Sequence, residues 1–304
     1  MTQLVTHNEL ATVAENDDPV QLKDYLELCK IKVIALLVLT AVIGAALAPD
    51  MGRGYIEQLL SLLGIGLLSS SAAVINHVVD SRIDAIMART KNRPIVKKRV
   101  SRNRALAFSG LLSVTGFTLL VIFANWLTAY LTLFALLGYA VVYTLFLKRA
   151  TPQNIVIGGL AGAMPPLLGW VSETGALAPE PWILVMIIFT WTPPHFWALA
   201  IHRRADYARA NIPMLPVTHG IDYTKTCLLL YTILLTLVCV LPFLIHMSGY
   251  VYLFSALMLN GIFIYKAFLL KICSHHRNAF ALFKFSIVHL TLLFIAFFAD
   301  KLIM

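Results

Sequence analysis

The polar side chains best suited to chemistry are spaced four residues apart along an apolar stretch. Asn76, Asp80 and Asp84 follow the spacing i, i+4, i+8, and on a helix this puts them on one face, successive residues about 6 Å of rise apart. Two carboxylates and an amide suit a hard divalent cation. Mg²⁺ usually takes one or two protein carboxylates and completes its shell with phosphate oxygens and water. We therefore predict that all three bind Mg²⁺ and act in catalysis.

A basic run follows this face along the chain. Its members are Arg89, Lys91, Arg93, Lys97, Lys98 and Arg99. Arg and Lys side chains bind phosphate directly, so we expect Arg89 and Arg93 in catalysis and Lys91 and Lys97 in substrate binding. Bases at a membrane surface also set topology and contact lipid, and this alternative stays open for Lys97, Lys98 and Arg99.

A second acid, Asp206, follows a later apolar stretch, four stretches after the one that Asp80 follows. The spacing indicates a duplicated four-helix unit with a ninth helix appended. We predict that Asp206 lies opposite Asp80 as a further metal ligand and catalytic residue, with Arg209 and Lys225 binding the substrate beside it. The alternative is a solvated turn with a local Arg–Asp pair.

The elements that must position these residues are apolar. The 304 residues are 59% hydrophobic and 13% charged, far from the values of about 45–50% and about 25% in soluble domains. This composition excludes a disordered chain, a nucleic-acid-binding basic protein and a small secreted scaffold. Nine stretches approach the roughly 20 residues that a helix needs to cross hydrocarbon: 31–48, 57–79, 103–124, 127–147, 153–173, 180–201, 224–246, 249–270 and 280–299.

These stretches predict an all-α polytopic membrane bundle, with kinks at the Pro pairs of the fifth and sixth, and with a break in the sixth helix at Pro193-Pro194. With the N-terminus in the cytoplasm, all Lys and Arg except Arg53 and Lys301 lie on the inner side, which predicts nine crossings, N-in and C-out. Residues 1–28 are predicted to be a polar cytoplasmic tail that ends in a short surface helix, and residues 29–304 a single transmembrane domain.

Three stretches carry a resemblance to a known family. Asn76-xxx-Asp80-xxx-Asp84 with Arg89-Thr-x-x-Arg93-Pro resembles the first aspartate-rich motif of the intramembrane (UbiA-type) prenyltransferases. The stretches 191–200 (WTPPHFWALA) and 206–216 (DYARANIPMLP) resemble the branch of that family that prenylates haem. Many members carry a further acid in the later loop, where this chain has Ala210.

The resemblance implies an enzyme that transfers the farnesyl group of farnesyl diphosphate to a vinyl group of haem b, giving haem O for terminal oxidases, with Mg²⁺ assisting. It implies a multi-pass protein of the bacterial inner membrane whose site faces the cytoplasm. Haem b is then a substrate rather than a cofactor. The expected partners are farnesyl diphosphate, haem b, membrane lipid and haem A synthase or terminal-oxidase assembly proteins, without nucleic acid.

That reaction needs aromatic faces for an allylic cation and a group that orients haem. Tyr139 and Tyr143 suit the first need, although both also fit an interfacial aromatic belt. Lys148 is expected to close over the diphosphate. His195, after Pro193-Pro194 in the sixth stretch, is expected to bind or orient haem, and a packed hydrogen-bonding histidine is the alternative.

Three other functions compete with this one. The first is a prenyltransferase whose acceptor is an aromatic precursor of quinones. The second is a secondary transporter with Asp80, Asp84 and Asp206 as ion relays, although transporter sites lie near the bilayer midplane. The third is an assembly factor that carries haem and would not need the aspartate motif.

Overall fold

The structure is a computed structural model that describes residues 20–273 and 278–303. All regular elements in this range are helical, and the polar segment 1–19 of the predicted tail lies outside it. The helices are α1 Leu22–Leu28, α2 Ile31–Leu47, α3 Tyr55–Ile86, α4 Arg102–Phe123, α5 Trp126–Leu137, a π-helix Gly138–Leu147, α6 Lys148–Ala150, α7 Asn154–Ala163, α8 Pro165–Thr174, α9 Glu180–His202, α10 Arg204–Arg209, α11 Leu215–Thr218, α12 Ile221–Leu244, α13 Tyr250–Ile272 and α14 Asn278–Ile303.

The predicted all-α membrane bundle is confirmed. Eight helical segments in the described residues are long and apolar enough to cross a membrane, and α1 with α2, bent by 55°, makes a ninth if counted as one span. Helices suit this environment because they satisfy their own backbone hydrogen bonds in hydrocarbon. The N-in orientation and the exact number of crossings stay predictions.

Helix α9 lies at the centre of the second half of the bundle, packed against α7, α8, α12 and α14. In the first half, α3 packs against α4, and α2 packs against α8. The α2–α8 crossing depends on glycine, because a Cβ on Gly44 would overlap the backbone of Pro166, and one on Gly169 would overlap that of Ala41.

The two Pro pairs behave differently. The fifth stretch breaks at Met164, between α7 and α8, as predicted for Pro165-Pro166. The sixth stretch, predicted to break at Pro193-Pro194, runs through as the continuous helix α9, so that prediction was wrong. The prolines remove two N–H donors. Most of the apolar part of α9 is buried, however, and the packing around it keeps the helix intact.

Helix α1 confirms a short helix before the first crossing, but it is not wholly a surface helix. Asp24 is 2% exposed and accepts a 2.5 Å hydrogen bond from Arg99 Nη1. Arg99 also lies 3.5 Å from Glu27. The basic loop after α3 is therefore tied to α1, and Arg99 has a structural partner besides any contact with lipid.

Candidate active site

The predicted polar face lies near the end of α3 and is buried. Asn76, Asp80 and Asp84 are 4%, 2% and 4% exposed, and all three belong to one uninterrupted helix. Asn76 Nδ2 donates to Asp80 Oδ2 at 2.8 Å, as residues four apart on one helix face should. This end of the long helix therefore holds two carboxylates and an amide out of solvent.

Three cations from three different segments contact this face. Lys148 Nζ donates to Asp80 Oδ2 at 2.6 Å, and Arg93 Nη1 donates to Asp84 Oδ2 at 2.5 Å. Lys30, between α1 and α2, donates from Nζ to Asn76 Oδ1 at 2.6 Å. Buried carboxylates require such partners, because an unpaired buried charge is costly. The cations also make the face suitable for a polyanionic ligand.

The face fits Mg²⁺ by the chemistry of its donors. Asp80 Oδ1 is sealed from solvent and has no hydrogen-bond partner among residues 20–273 and 278–303, so one carboxylate oxygen is available to bind a cation. Within residues 20–273 and 278–303, no group of three His, Cys, Asp or Glu side chains is placed to hold a metal ion. A cation at Asp80 and Asp84 would thus take its other ligands from phosphate and water, as Mg²⁺ commonly does.

A π-helix presents the predicted tyrosines beside the acids. The rings of Tyr139 and Tyr143 stack with centroids 5.5 Å apart inside the segment Gly138–Leu147. Thr144 Oγ1, also in this segment, lies 3.3 Å from Asn76 Nδ2. Gly158 of α7 leaves room for the ring of Tyr143, which a Cβ there would overlap. The π-helix thus brings both rings and Lys148 to the face on α3, and π-helical turns are frequent at functional sites.

The two long loops meet through an apolar cluster. Tyr207, Ile212 and Met214 of the later loop pack with Ile83 and Met87 at the end of α3. Tyr207 is 8% exposed, and burial raises the pKa of its hydroxyl. This cluster brings the Asp206 loop to the end of α3 that carries Asp84.

Asp206 itself is bonded within its own loop. Its carboxylate, in a residue 7% exposed, accepts a hydrogen bond from Arg209 and lies 3.6 Å from Arg203 Nη1. The local Arg–Asp pair that the sequence left open is therefore present. The position of Asp206 opposite Asp80 stays a prediction.

The other predicted phosphate-binding bases have different environments. Arg89, Lys91 and Lys97 are exposed. Lys225 is 2% exposed and donates from Nζ to the carbonyl of Cys273 at 2.9 Å, while Asp222 lies 3.8 Å away. Its described contacts thus join α12 to the end of α13, and its role beside Asp206 stays a prediction.

His195 is packed between aromatic rings on α9 and α14. It is 7% exposed, stacks on Trp191 with centroids 4.2 Å apart and lies 4.6 Å from the ring of Phe283. Its Nδ1 is 2.7 Å from Ser286 Oγ. The ring orientation is therefore set by Ser286, and Nε2 is the nitrogen without a protein partner among the described residues.

Sequence reasoning missed several residues at the face. Lys30 looked like one of many bases that set topology, yet it adopts a left-handed backbone, with φ of 53°, and its side chain reaches Asn76. Thr144 carried no signal in an apolar stretch. His77 is buried, and neither of its ring nitrogens is hydrogen-bonded in the described residues. Lys30 and Thr144 are distant in sequence from Asn76, and none of the three residues stands in a pattern that predicts a functional role.

The sequence is similar to those of known proteins. The UbiA prenyltransferase family profile matches residues 37–297. A protoheme IX farnesyltransferase from Psychromonas ingrahamii is 71% identical over 100% of both chains. Protoheme IX farnesyltransferase 1 from Vibrio parahaemolyticus is 57% identical over 92% of each.

Solved structures with the same fold are more distant in sequence. A UbiA homologue from Archaeoglobus fulgidus, bound to DMAPP and Mg²⁺, has a TM-score of 0.65 at 15% identity, covering 92% of this chain and 100% of the other. A homologue from Aeropyrum pernix K1, in its apo form, has a TM-score of 0.70 at 18% identity, covering 90% and 98%. At these identities the likeness concerns the fold.

Proposed function

Because the chain belongs to the UbiA prenyltransferase family, we propose that it transfers the farnesyl group of farnesyl diphosphate to a vinyl group of haem b, giving haem O. The observation that carries the diphosphate part is the buried face of Asn76, Asp80 and Asp84, contacted by three cations. The relatives named protoheme IX farnesyltransferase, at up to 71% identity over the full chain, support the farnesyl donor and the haem acceptor.

The residues of the face have different roles in the ionisation of farnesyl diphosphate. Asn76, Asp80 and Asp84 would hold Mg²⁺, which supplies charge neutralisation for the leaving diphosphate. The homologue solved with DMAPP and Mg²⁺ supports this choice of metal and of substrate class. Lys30, Arg93 and Lys148 add donors aimed at the same volume, so charge that develops on the diphosphate oxygens meets positive groups already in position.

The aromatic pair serves the other product of ionisation. When the allylic C–O bond breaks, its electrons leave with the diphosphate and the prenyl group carries positive charge. The stacked rings of Tyr139 and Tyr143 supply negative π faces for that charge. The two rings are partly buried, and their apolar faces would limit the access of water to the cation.

We assign haem orientation to His195. Ser286 holds its Nδ1, so Nε2 is the atom available to bind iron or to donate to a propionate. Trp191 and Phe283 pack against the imidazole and fix its plane, so Nε2 would meet haem from a defined direction. We place Asp206, Arg209 and Lys225 on the opposite side of the diphosphate, and expect Asp206→Asn to reduce turnover less than Asp80→Asn because Arg209 already pairs with it.

The protein is a polytopic membrane protein, and we propose the bacterial inner membrane with the active site facing the cytoplasm. Both acid-bearing loops lie on the side that carries nearly all Lys and Arg, which is the cytoplasmic side by the distribution of charges. Farnesyl diphosphate would then reach the site from the cytoplasm, and haem O would leave through the bilayer to the enzymes that use it.

One assay tests the whole proposal. The purified full chain is supplied with farnesyl diphosphate and haem b, and products are separated by chromatography with and without EDTA. The expected result is haem O in the Mg²⁺-supplied sample alone. Prenylation of a phenolic quinone precursor with haem unchanged would instead support the alternative acceptor. Haem binding without any prenyl transfer would support a carrier and overturn the proposal.

A further inference from the structure

A pocket lies beside the C-terminal end of α3. The pocket, of about 280 Å³, is lined by Arg82, Ile83, Ile86, Arg149, Ala210, Asn211 and Ile212. Arg82 lies two residues beyond Asp80, about 200° around the helix, so the Arg82 side of this lining is separate from the face of the metal site, and Ile83 lies between the two. The pocket therefore is not explained by the reaction described above.

The charged residues of the lining are all positive. Arg93 and Lys148 pair with acids, whereas the exposed guanidinium groups of Arg82 and Arg149 have no hydrogen-bond or ion-pair partner in the described part of the chain. No carboxylate belongs to the lining. Two unneutralised arginines at one pocket favour an anion with several acceptor oxygens, since guanidinium forks bind phosphate with paired hydrogen bonds.

The rest of the lining is apolar. Ile83 and Ile212 are 7% and 1% exposed and form the floor, while Ile86 is 55% exposed at the edge. Ile86 is the last residue of α3, beyond the predicted crossing 57–79. A ligand with a phosphate head and a hydrocarbon tail suits this surface. The head meets the arginines, and the tail runs back along α3 past the half-buried Val79 and Ile75, which lie on the same side of the helix as Arg82.

The size of the pocket selects the ligand further. A volume of about 280 Å³ equals the room of about nine water molecules, which is enough for a phosphate headgroup. Basic pockets between membrane helices on the cytoplasmic side are suited to anionic lipid headgroups. We propose that this pocket binds the headgroup of an anionic phospholipid from the leaflet that the basic loops face.

Binding there would couple lipid to the active site. Arg82 lies on the helix of Asp80 and Asp84, Arg149 follows Lys148 directly, and Asn211 lies in the Asp206 loop. One headgroup held by these segments joins the three parts of the chain that carry the acids and Lys148. The lipid is therefore expected to raise the thermal stability of the site as a unit.

The test compares lipid retention by the full chain. Nanodiscs of phosphatidylcholine with phosphatidylglycerol are used, and lipids that stay bound after transfer to detergent are counted by native mass spectrometry. We expect selective retention of phosphatidylglycerol, reduced about fivefold in Arg82→Gln and again in Arg149→Gln, because each arginine near the surface contributes about 1 kcal/mol. Arg102→Gln, an exposed arginine at the start of α4, is the matched control and should retain lipid as the unmodified chain does.

Several outcomes would overturn the proposal. These are equal retention of the two lipids, unchanged retention in the doubly substituted chain, and displacement of phosphatidylglycerol by inorganic phosphate alone, which would reveal a bare phosphate site. Arg82→Lys and Arg149→Lys control for misfolding. They keep the positive charge and should retain most of the lipid if the loss in the Gln variants is due to charge. Farnesyl diphosphate is tested as a competitor: its failure to displace the lipid is expected, and displacement would make the pocket a substrate site instead.

Discussion

Replacing Asp80 with Asn removes one negative charge from the buried face with little change of shape. Asp80 Oδ2 accepts from Lys148 and from Asn76, and Oδ1 is sealed from solvent with no partner in the described part of the chain. In Asp80→Asn, Lys148 loses its counter-ion, and a bound Mg²⁺ would lose one of its two carboxylate ligands. Metal stabilisation of developing charge is worth several kcal/mol, and a loss of about 4 kcal/mol corresponds to a fall in kcat of about a thousandfold.

Stability should change much less than activity. Lys148 is partly solvated, with 17% of its side chain exposed, so its ammonium can recover hydration when the pair is lost. We expect a cost of about 1–2 kcal/mol in the free energy of unfolding, as for a lost charged hydrogen bond. That cost is too small to unfold the chain, so the thousandfold loss would belong to catalysis.

The assay measures haem O formation as a function of Mg²⁺, together with thermal unfolding in detergent. Asp300→Asn is the matched control: Asp300, on α14, is 2% exposed and accepts from the backbone N–H of Tyr252, in the first turn of α13, at 3.1 Å. This control should lower stability and leave kcat per folded molecule unchanged. Near-normal turnover by Asp80→Asn at saturating Mg²⁺ would refute the assignment.

Three further predictions concern packing around the site and the acceptor. Gly158→Ala places a Cβ against the ring of Tyr143 and should cost about 1–3 kcal/mol with reduced turnover, both seen by thermal unfolding and the product assay; unchanged values would mean that the ring moves freely. Arg99→Gln leaves buried Asp24 without its partner and should lower the free energy of unfolding by about 1–3 kcal/mol, which denaturation in detergent measures. His195→Ala should weaken haem binding about tenfold, or about 1.4 kcal/mol, with farnesyl diphosphate binding unchanged; separate titrations check this, and equal loss of both ligands would instead indicate a distorted α9.

Some of the site follows from local spacing. Asn76, Asp80 and Asp84 share a face because residues four apart do so on any helix, and no tertiary contact is needed to place them together. The same local logic predicted the break at Pro165-Pro166. The same reasoning failed at Pro193-Pro194. There the packing of α9 among its neighbours outweighs the proline penalty, and those neighbours lie outside the sequence of that helix.

The sequence by itself determined the membrane class, the helical content and the chemistry available at the end of α3, since each depends on composition or on periodicity within one segment. Tertiary structure alone decided which cations meet those acids. Lys30, Arg93 and Lys148 lie 46, 9 and 68 residues from their partners, and the pairing of Asp24 with Arg99 spans 75. Contacts at such separations depend on how helices cross and on where a π-helix shifts the register. These are properties of the packed bundle, and periodicity within one segment does not encode them.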